Sequence, residues 1–299
     1  MQVMKSINIG GKLLEVRKPL VMGILNVTPD SFYAGSRVCA GDLAARGRKM
    51  LADGASILDL GGCSTRPGSA EATEEEELQR LLPALEELRQ ALPDAVISVD
   101  TFRASVARRC VAAGADIIND VSGGRDPEMF GTVAELGVPY VLTHSRGDSS
   151  SMQSMTDYAD VVAEVLEDLA FKTDRLHQTG VCDVVIDPGF GFAKTPDQCY
   201  RLLASLEAFG AIGCPILAGL SRKSMIWKEL RITPDKALNG TTALNMAALI
   251  NGADILRVHD VREEAETVGL YEAYRRNMPQ RNTITTTDRN TDTTHIQTI

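Results

Sequence analysis

The chain is poor in the features that mark several large protein classes. Among 299 residues there is one tryptophan, and aromatics make up 5%. Six cysteines (Cys39, Cys63, Cys110, Cys182, Cys199 and Cys214) are scattered with no C-x-x-C pair. That pattern argues against a disulfide framework or a thiolate zinc site and fits a reducing cytoplasm. Positive charge is in deficit, with 31 Lys and Arg against 40 Asp and Glu and a net charge of −9. No long basic run is present either, which argues against a nucleic-acid partner but leaves room for a small anion met by local cations. No apolar stretch approaches the roughly 18 residues that span a bilayer. Nor does the N-terminus lead from a charged segment into a signal-type apolar core, so no membrane partner is expected.

What the chain does have is repetition. Eight short apolar runs each stop at a polar group: 20–25 at Asn26, 57–60 before Gly61, 96–99 at Asp100, and 117–118 at Asn119. The others are 140–142 before His144, 184–186 at Asp187, 216–220 near Arg222 and Lys223, and Ile255–Val258, which contains Arg257 and is ended by His259. Helical patterns lie between them. Three joints read almost alike, Asp53-Gly54-Ala55-Ser56, Ala113-Gly114-Ala115-Asp116 and Asn251-Gly252-Ala253-Asp254. Each has a helix ending at glycine and a buried strand starting just beyond. Helix–strand alternation predicts parallel pairing, and eight units predict a (β/α)8 barrel, with an open doubly wound sheet as the alternative. Two alternating segments around Gly10-Gly11 predict an N-terminal β-hairpin plugging the barrel from below. Thr73 followed by Glu74 to Glu77 predicts a capped helix start over 73–92 in preference to a metal site. One domain is expected over residues 1–277, and the Thr- and Asn-rich stretch 278–299 reads as a mobile tail.

A parallel barrel shows all its strand C-termini on one face, so these polar groups would surround one pocket. Asp100, Asn119 and Asp187 suit the N–H and N–H2 edge of a heterocycle. Any one of them alone would be a helix cap, but three at neighbouring mouths favour a ligand. Arg66, in a Gly-rich loop, is either an anion contact or a surface arginine. Phe192 either walls the pocket or covers the barrel top. Arg222 and Lys223 follow a buried strand directly, which places two cations beside the pocket. Arg257 and His259 share one side by the period of two, at the end of the barrel where phosphate groups usually sit. His259 as a structural histidine is the alternative.

Together these segments resemble the dihydropteroate synthase family of pterin-binding enzymes over roughly residues 20–276. The resemblance rests on the stretch from Met22 to Phe32, Ser64-Thr65-Arg66-Pro67-Gly68, Ser98-Val99-Asp100-Thr101 and Ile117-Ile118-Asn119-Asp120-Val121. It rests also on Asp187-Pro188-Gly189-Phe190-Gly191-Phe192, Ser221-Arg222-Lys223-Ser224 and Arg257-Val258-His259-Asp260. The resemblance implies a transferase joining 6-hydroxymethyl-7,8-dihydropterin diphosphate to p-aminobenzoate, with Mg2+ as cofactor, in a cytoplasmic homodimer. It implies Asp100, Asn119, Asp187 and Lys223 around the pterin. Asn26, Arg257 and His259 would hold the diphosphate, with Asn26 on the metal. Thr65, Arg66, Pro67, Phe192, Lys223 and Ser224 would surround p-aminobenzoate, and Asp30, Lys223, Arg257 and His259 would be the catalytic groups.

The chain departs from the family pattern in three places. An acid usual soon after the Ser-Phe pair is replaced by Ala34, which leaves Asp30 as the nearest carboxylate. A usual Glu is replaced by Cys63, and a usual Met-His-Met-x-Gly reads Thr143-His144-Ser145-Arg146-Gly147. Ala34 and Cys63 motivate one rival, a catalytically silent pterin-binding paralogue. A pterin-dependent methyltransferase is a second, and the Arg257/His259 pair argues against it. A Schiff-base aldolase using Lys223 is a weak third.

Overall fold

A computed structural model of the chain describes residues 5–27, 42–63 and 72–278. The first elements are the expected hairpin, β1 (Ser6–Ile9) and β2 (Lys12–Glu15), paired antiparallel across Gly10-Gly11. Eight parallel strands follow: β3 (Leu20–Asn26), β4 (Ile57–Gly61), β5 (Ile97–Asp100), β6 (Ile117–Asp120), β7 (Tyr140–Thr143), β8 (Val184–Asp187), β9 (Leu217–Ala218) and β10 (Ile255–Val258). The intervening helices are α1 (Asp42–Ala52), α2 (Glu74–Ala91), α3 (Ala104–Ala112), α4 (Met129–Leu136), α5 (Val161–Gln178), α6 (Pro196–Ala204), α7 (Ser224–Glu229), α8 (Leu238–Ile250) and α9 (Val261–Arg276).

Strand order is β8-β7-β6-β5-β4-β3-β10-β9. The remaining gap closes where Ile186 of β8 bridges Ile216 in parallel register and its N–H donates to Pro215 O at 2.9 Å. The sheet is therefore a barrel and not the open sheet held as the alternative. Several strands run one or two residues past the apolar stretch, so Asp100, Asn119, Asp120 and Asp187 lie inside β5, β6 and β8. The seventh barrel strand is the exception, shrinking from the expected 216–220 to Leu217–Ala218.

The recurring joint has one geometry. Gly54, Gly114 and Gly252 take φ of +111°, +105° and +98°. In each case the next residue's N–H reaches back five residues: Ala55 to Met50, Ala115 to Cys110 and Ala253 to Ala248, all at 2.9 Å. This is the 6→1 bond of a Schellman stop, and it turns the chain straight into the next strand. A fourth copy, Val181 to Leu176 at 3.0 Å over Gly180, lies hidden in a sequence that matches the other three poorly. The capping box at Thr73 forms as expected, with Glu76 closing it. Glu77, counted with the other acids of the helix start, is fully buried and paired with Arg103.

The hairpin plugs the barrel floor. Ile7 is 1% exposed and packs in one cluster with Leu20, Met22, Ile57, Ile117, Val141, Val185, Leu217 and Ile255. Lys5 Nζ pairs with Asp254 at 2.7 Å and the Asn8 N–H donates to Asp183 at 3.0 Å, which pins the hairpin to the strand starts.

Candidate active site

Strand side chains alternate, so the residue two places after each floor residue also points into the barrel. From Ile57 that step reaches Asp59, from Ile117 Asn119, from Val185 Asp187 and from Ile255 Arg257. The interior thus changes from apolar at the floor to charged at the mouth within a single period. Asp59, Asp100, Asn119 and Asp187 are all at most 6% exposed.

Arg257 stands at the centre of this group. Its Nε donates to Asp59 Oδ2 at 2.7 Å and its Nη2 to Asp100 Oδ2 at 2.7 Å. Asn119 Nδ2 adds a bond to the same Asp59 oxygen at 3.1 Å. Burial disfavours the guanidinium charge, but Asp59 and Asp100 outweigh burial and hold the Arg257 pKa above its usual value. Burial lifts Asp100 to about 7, with Arg257 opposing and the neighbouring Asp59 adding to the rise. The sequence reading missed Asp59, which sits in mid-strand among leucines. The floor-to-mouth step of two was the available signal.

The second half of the mouth is built by the loop after β8. Asp187 Oδ1 accepts the Gly189 N–H at 2.8 Å, and its pKa is raised by burial against the pull of Lys223. Lys223 Nζ donates to Phe190 O at 2.5 Å and lies 4.7 Å from the Phe192 ring centre. Burial brings Lys223 down to about 8, with Asp187 opposing and Arg257 adding to the fall. Phe190 is fully buried and Phe192 half-buried, so the first packs and the second faces the mouth. Below this loop Lys194 Nζ contacts His144 Nδ1 at 2.8 Å and donates to Phe192 O at 3.0 Å and Gly189 O at 3.1 Å. Neither Lys194 nor this role of His144 was evident from sequence, since 50 residues separate them.

Two sequence readings change. Arg222 does not face the pocket: it adopts φ +55° and turns its guanidinium to Asp260, with Nε to Oδ2 at 2.8 Å and Nη2 to Oδ1 at 2.9 Å. It ties the loops after β9 and β10 together, and Lys223 is the cation left at the mouth. Arg257 and His259 also differ in their partners. His259 is exposed and its Nδ1 meets Ser221 Oγ at 2.9 Å, while Arg257 reaches inward to the two carboxylates. The His259 backbone N–H donates to the same Ser221 Oγ at 3.2 Å, so one hydroxyl holds both the ring and the backbone of His259.

Ser224 opens α7 directly after Lys223 and is half-buried. Asn26 ends β3, and a Cβ on Gly61 would come within 2.9 Å of its Oδ1, so glycine makes room for that amide. A small cleft adjoins the mouth, lined by Phe102, Val121, Arg125, Ser145, Met152 and Phe192 among others. Cys63 is buried beside Ala72 and Phe102. Asp30, Ala34, Thr65, Arg66 and Pro67 lie outside the described residues, as does the expected tail beyond Met278.

Fold and site together define an enzyme: a parallel barrel whose mouth gathers acceptors for a flat, donor-rich heterocycle next to cations for an anion. The family model for pterin binding enzymes matches residues 22–259. The chain belongs to the pterin-binding enzyme family and is a transferase of its dihydropteroate synthase branch. It is 42% identical over 266 residues to dihydropteroate synthase of Escherichia coli (strain K12), covering 88% of this chain and 94% of that one. The dihydropteroate synthase of Xanthomonas albilineans, solved with 4-aminobenzoic acid, superposes with a TM-score of 0.85 at 39% identity, covering 93% of this chain and 100% of that one. The Thermus thermophilus enzyme, solved in complex with 6HMPPP, gives a TM-score of 0.79 at 37% identity, covering 90% and 99%.

Proposed function

We propose that this mouth condenses 6-hydroxymethyl-7,8-dihydropterin diphosphate with p-aminobenzoate, giving 7,8-dihydropteroate and pyrophosphate in folate biosynthesis. The observation that carries the reading is the convergence of the buried Asp100, Asn119 and Asp187 and the half-buried Lys223 around Arg257. Carboxylates and an amide oxygen accept from the amino-pyrimidine edge of a pterin, and an ammonium donates to its ring carbonyl. A solvated carboxylate gains little from such bonds, whereas these groups are already dehydrated and fixed.

The chemistry follows from the substrate. The methylene carbon–oxygen bond breaks, pyrophosphate leaves with the electron pair, and the electron-rich dihydropterin carries the positive charge. The p-aminobenzoate nitrogen then attacks that carbon and gives up a proton. Such a path needs charge on the leaving group more than a general base. We assign that task to Arg257 and to His259, whose ring is held by Ser221. Phe192, Lys223 and Ser224, with Thr65, Arg66 and Pro67, are assigned to p-aminobenzoate, and Asp30 to the cation.

The residues fit a magnesium ion shared with substrate. Among the described residues no group of three or more His, Cys, Asp or Glu stands ready to hold a metal. Mg2+ commonly takes only one or two protein oxygens and completes its shell with phosphate and water. The Asn26 amide oxygen, at the open end of β3, is such a donor. When bound, the ion would neutralise developing charge on the diphosphate.

A homodimer is part of the proposal. Leu270, Tyr274 and Met278 recur every four residues along and just past α9 and are 66%, 50% and 43% exposed, an apolar stripe for a second copy to cover. No described helix is long and apolar enough to cross a membrane. The scattered cysteines support a cytoplasmic location.

The test is pyrophosphate release from purified protein. Release that requires both substrates and Mg2+ is expected. Folded protein that binds the pterin yet releases no pyrophosphate with p-aminobenzoate would establish the silent-paralogue reading instead.

A further inference from the structure

Asp59 is fully buried, and its two oxygens are used unequally. Oδ2 accepts from Arg257 Nε at 2.7 Å and from Asn119 Nδ2 at 3.1 Å, while Oδ1 has no hydrogen-bond partner among the described residues. The far side of the same guanidinium, Nη2, is 2.7 Å from Asp100 Oδ2. Arg257 therefore spans two carboxylates with different prospects. Asp59 lies deeper, in mid-strand and paired with Ile24 of β3, whereas Asp100 ends its strand at the mouth.

On the reading above, Asp100 is also wanted by the pterin. A ring N–H that takes Asp100 Oδ2 displaces Nη2. A buried guanidinium that loses a counter-charge is costly unless another remains or a new anion arrives. We propose that Asp59 is a positioning residue: it holds Arg257 by Nε as a pivot, so that the Nη groups pass from Asp100 to the anionic leaving group as the pterin enters. Asp59 keeps the guanidinium compensated during that exchange and aims it at the diphosphate. The inference rests on the pterin–diphosphate reading and adds a residue and a coupling to it. Pterin and pyrophosphate should assist each other's binding because each relieves the other's claim on Arg257.

Asp59→Asn isolates the charge. The amide oxygen can still accept from Arg257 Nε and Asn119 Nδ2, so the shape of the network is kept while its anion is removed. Calorimetry with 6-hydroxymethylpterin in magnesium buffer, with and without inorganic pyrophosphate, reads the result. Without pyrophosphate the variant should bind pterin at least about tenfold more weakly than wild type, because Arg257 then has only Asp100 and keeps it. With pyrophosphate the loss should shrink to within about threefold, so the enhancement by pyrophosphate grows. Equal losses with and without pyrophosphate would mean that Asp59 only supports the fold, and no loss would mean that it is idle; either overturns the pivot.

A second measurement needs no folded Asp59 variant. In wild-type protein carrying 15N-arginine, the Arg257 Nε–H signal, identified by its disappearance in Arg257→Lys, should stay in place on adding pterin while the Nη signals move. Movement of Nε–H into exchange with solvent overturns the pivot. Wild-type protein that binds no pterin at all defeats the underlying reading, whereas normal wild-type binding with either overturning outcome defeats the pivot alone.

Discussion

The ammonium of Lys194 lies 2.8 Å from Nδ1 of His144, and the two residues are 4% and 2% exposed. Burial, with Lys194, Lys172 and Arg146 around it, brings His144 down to about 2, so the ring is neutral and accepts. Lys194 itself is lowered to about 7 by burial, with Cys199 and Asp187 opposing. It also donates to His144 O at 3.3 Å. One side chain thus joins the loop after β7 to the loop after β8, the loop that presents Asp187 and the Phe190 carbonyl bound by Lys223. The tightest point of that junction is Gly189, where a Cβ would stand 1.9 Å from His144 O.

Gly189→Ala should therefore displace the whole loop. The φ of +72° is already unfavourable to a side chain, and the clash is with backbone that cannot step aside. Since the Gly189 N–H fixes Asp187 Oδ1, pterin affinity should fall by more than about tenfold, with Asp187 itself unchanged. Wild-type affinity in this variant would show that the loop and Asp187 are set independently.

Asp187→Ala should cost about 2–4 kcal/mol of pterin binding, because buried ring donors would lose a charged acceptor. Calorimetry on folded variant protein reads this directly. An unchanged pterin affinity would remove Asp187 from the site.

Pterin binding should have an optimum in pH. Asp100, raised to about 7, loses its charge as pH falls through that value and can no longer accept as a carboxylate. Lys223, lowered to about 8, loses its proton as pH rises through that value and gives up its ammonium charge. Affinity should thus decline on both sides of the interval between those values. Lys223→Arg should move the alkaline limb out of range, because a guanidinium stays charged there. Affinity that is flat from about pH 6 to about pH 9 would count against both groups as contacts.

Ile7→Ala should lower stability by about 2–4 kcal/mol, the usual cost of truncating a buried isoleucine. Pterin affinity should not change, because floor and mouth are separated along the barrel axis. Urea unfolding and calorimetry on the same preparation test the two halves of this statement. A matching loss of affinity would mean that the floor sets the mouth.

The barrel was legible because its signals are local. An apolar run, a polar stop and a helix ending in glycine each occupy a few residues, and the joint at Gly54, Gly114 and Gly252 repeats them nearly verbatim. The placement of Asp100, Asn119 and Asp187 at the barrel mouth was legible for the same reason, from the polar residues that stop the apolar runs. Asp59 was not, because its meaning depends on Arg257, 198 residues away. Arg222 and Lys223 are adjacent cations that the strand pattern alone does not tell apart, although the family resemblance singles out Lys223. What separates them is a positive φ at Arg222 and the position of Asp260, neither of which a string of residues displays. His144 was visible as part of a motif, but its service to Lys194 was not.

The hairpin covers the floor of the barrel, so among the described residues the charged interior is approached from the mouth. On the proposed reading, a ligand against Asp187 and Asn119 would lie beneath anything bound nearer the rim, and would enter before it and leave after it. Depth along the barrel axis is thereby a clock. A molecule lodged at the rim traps the deeper one behind it, so an inhibitor resembling only the outer reactant would gain residence time from whatever already lies beneath.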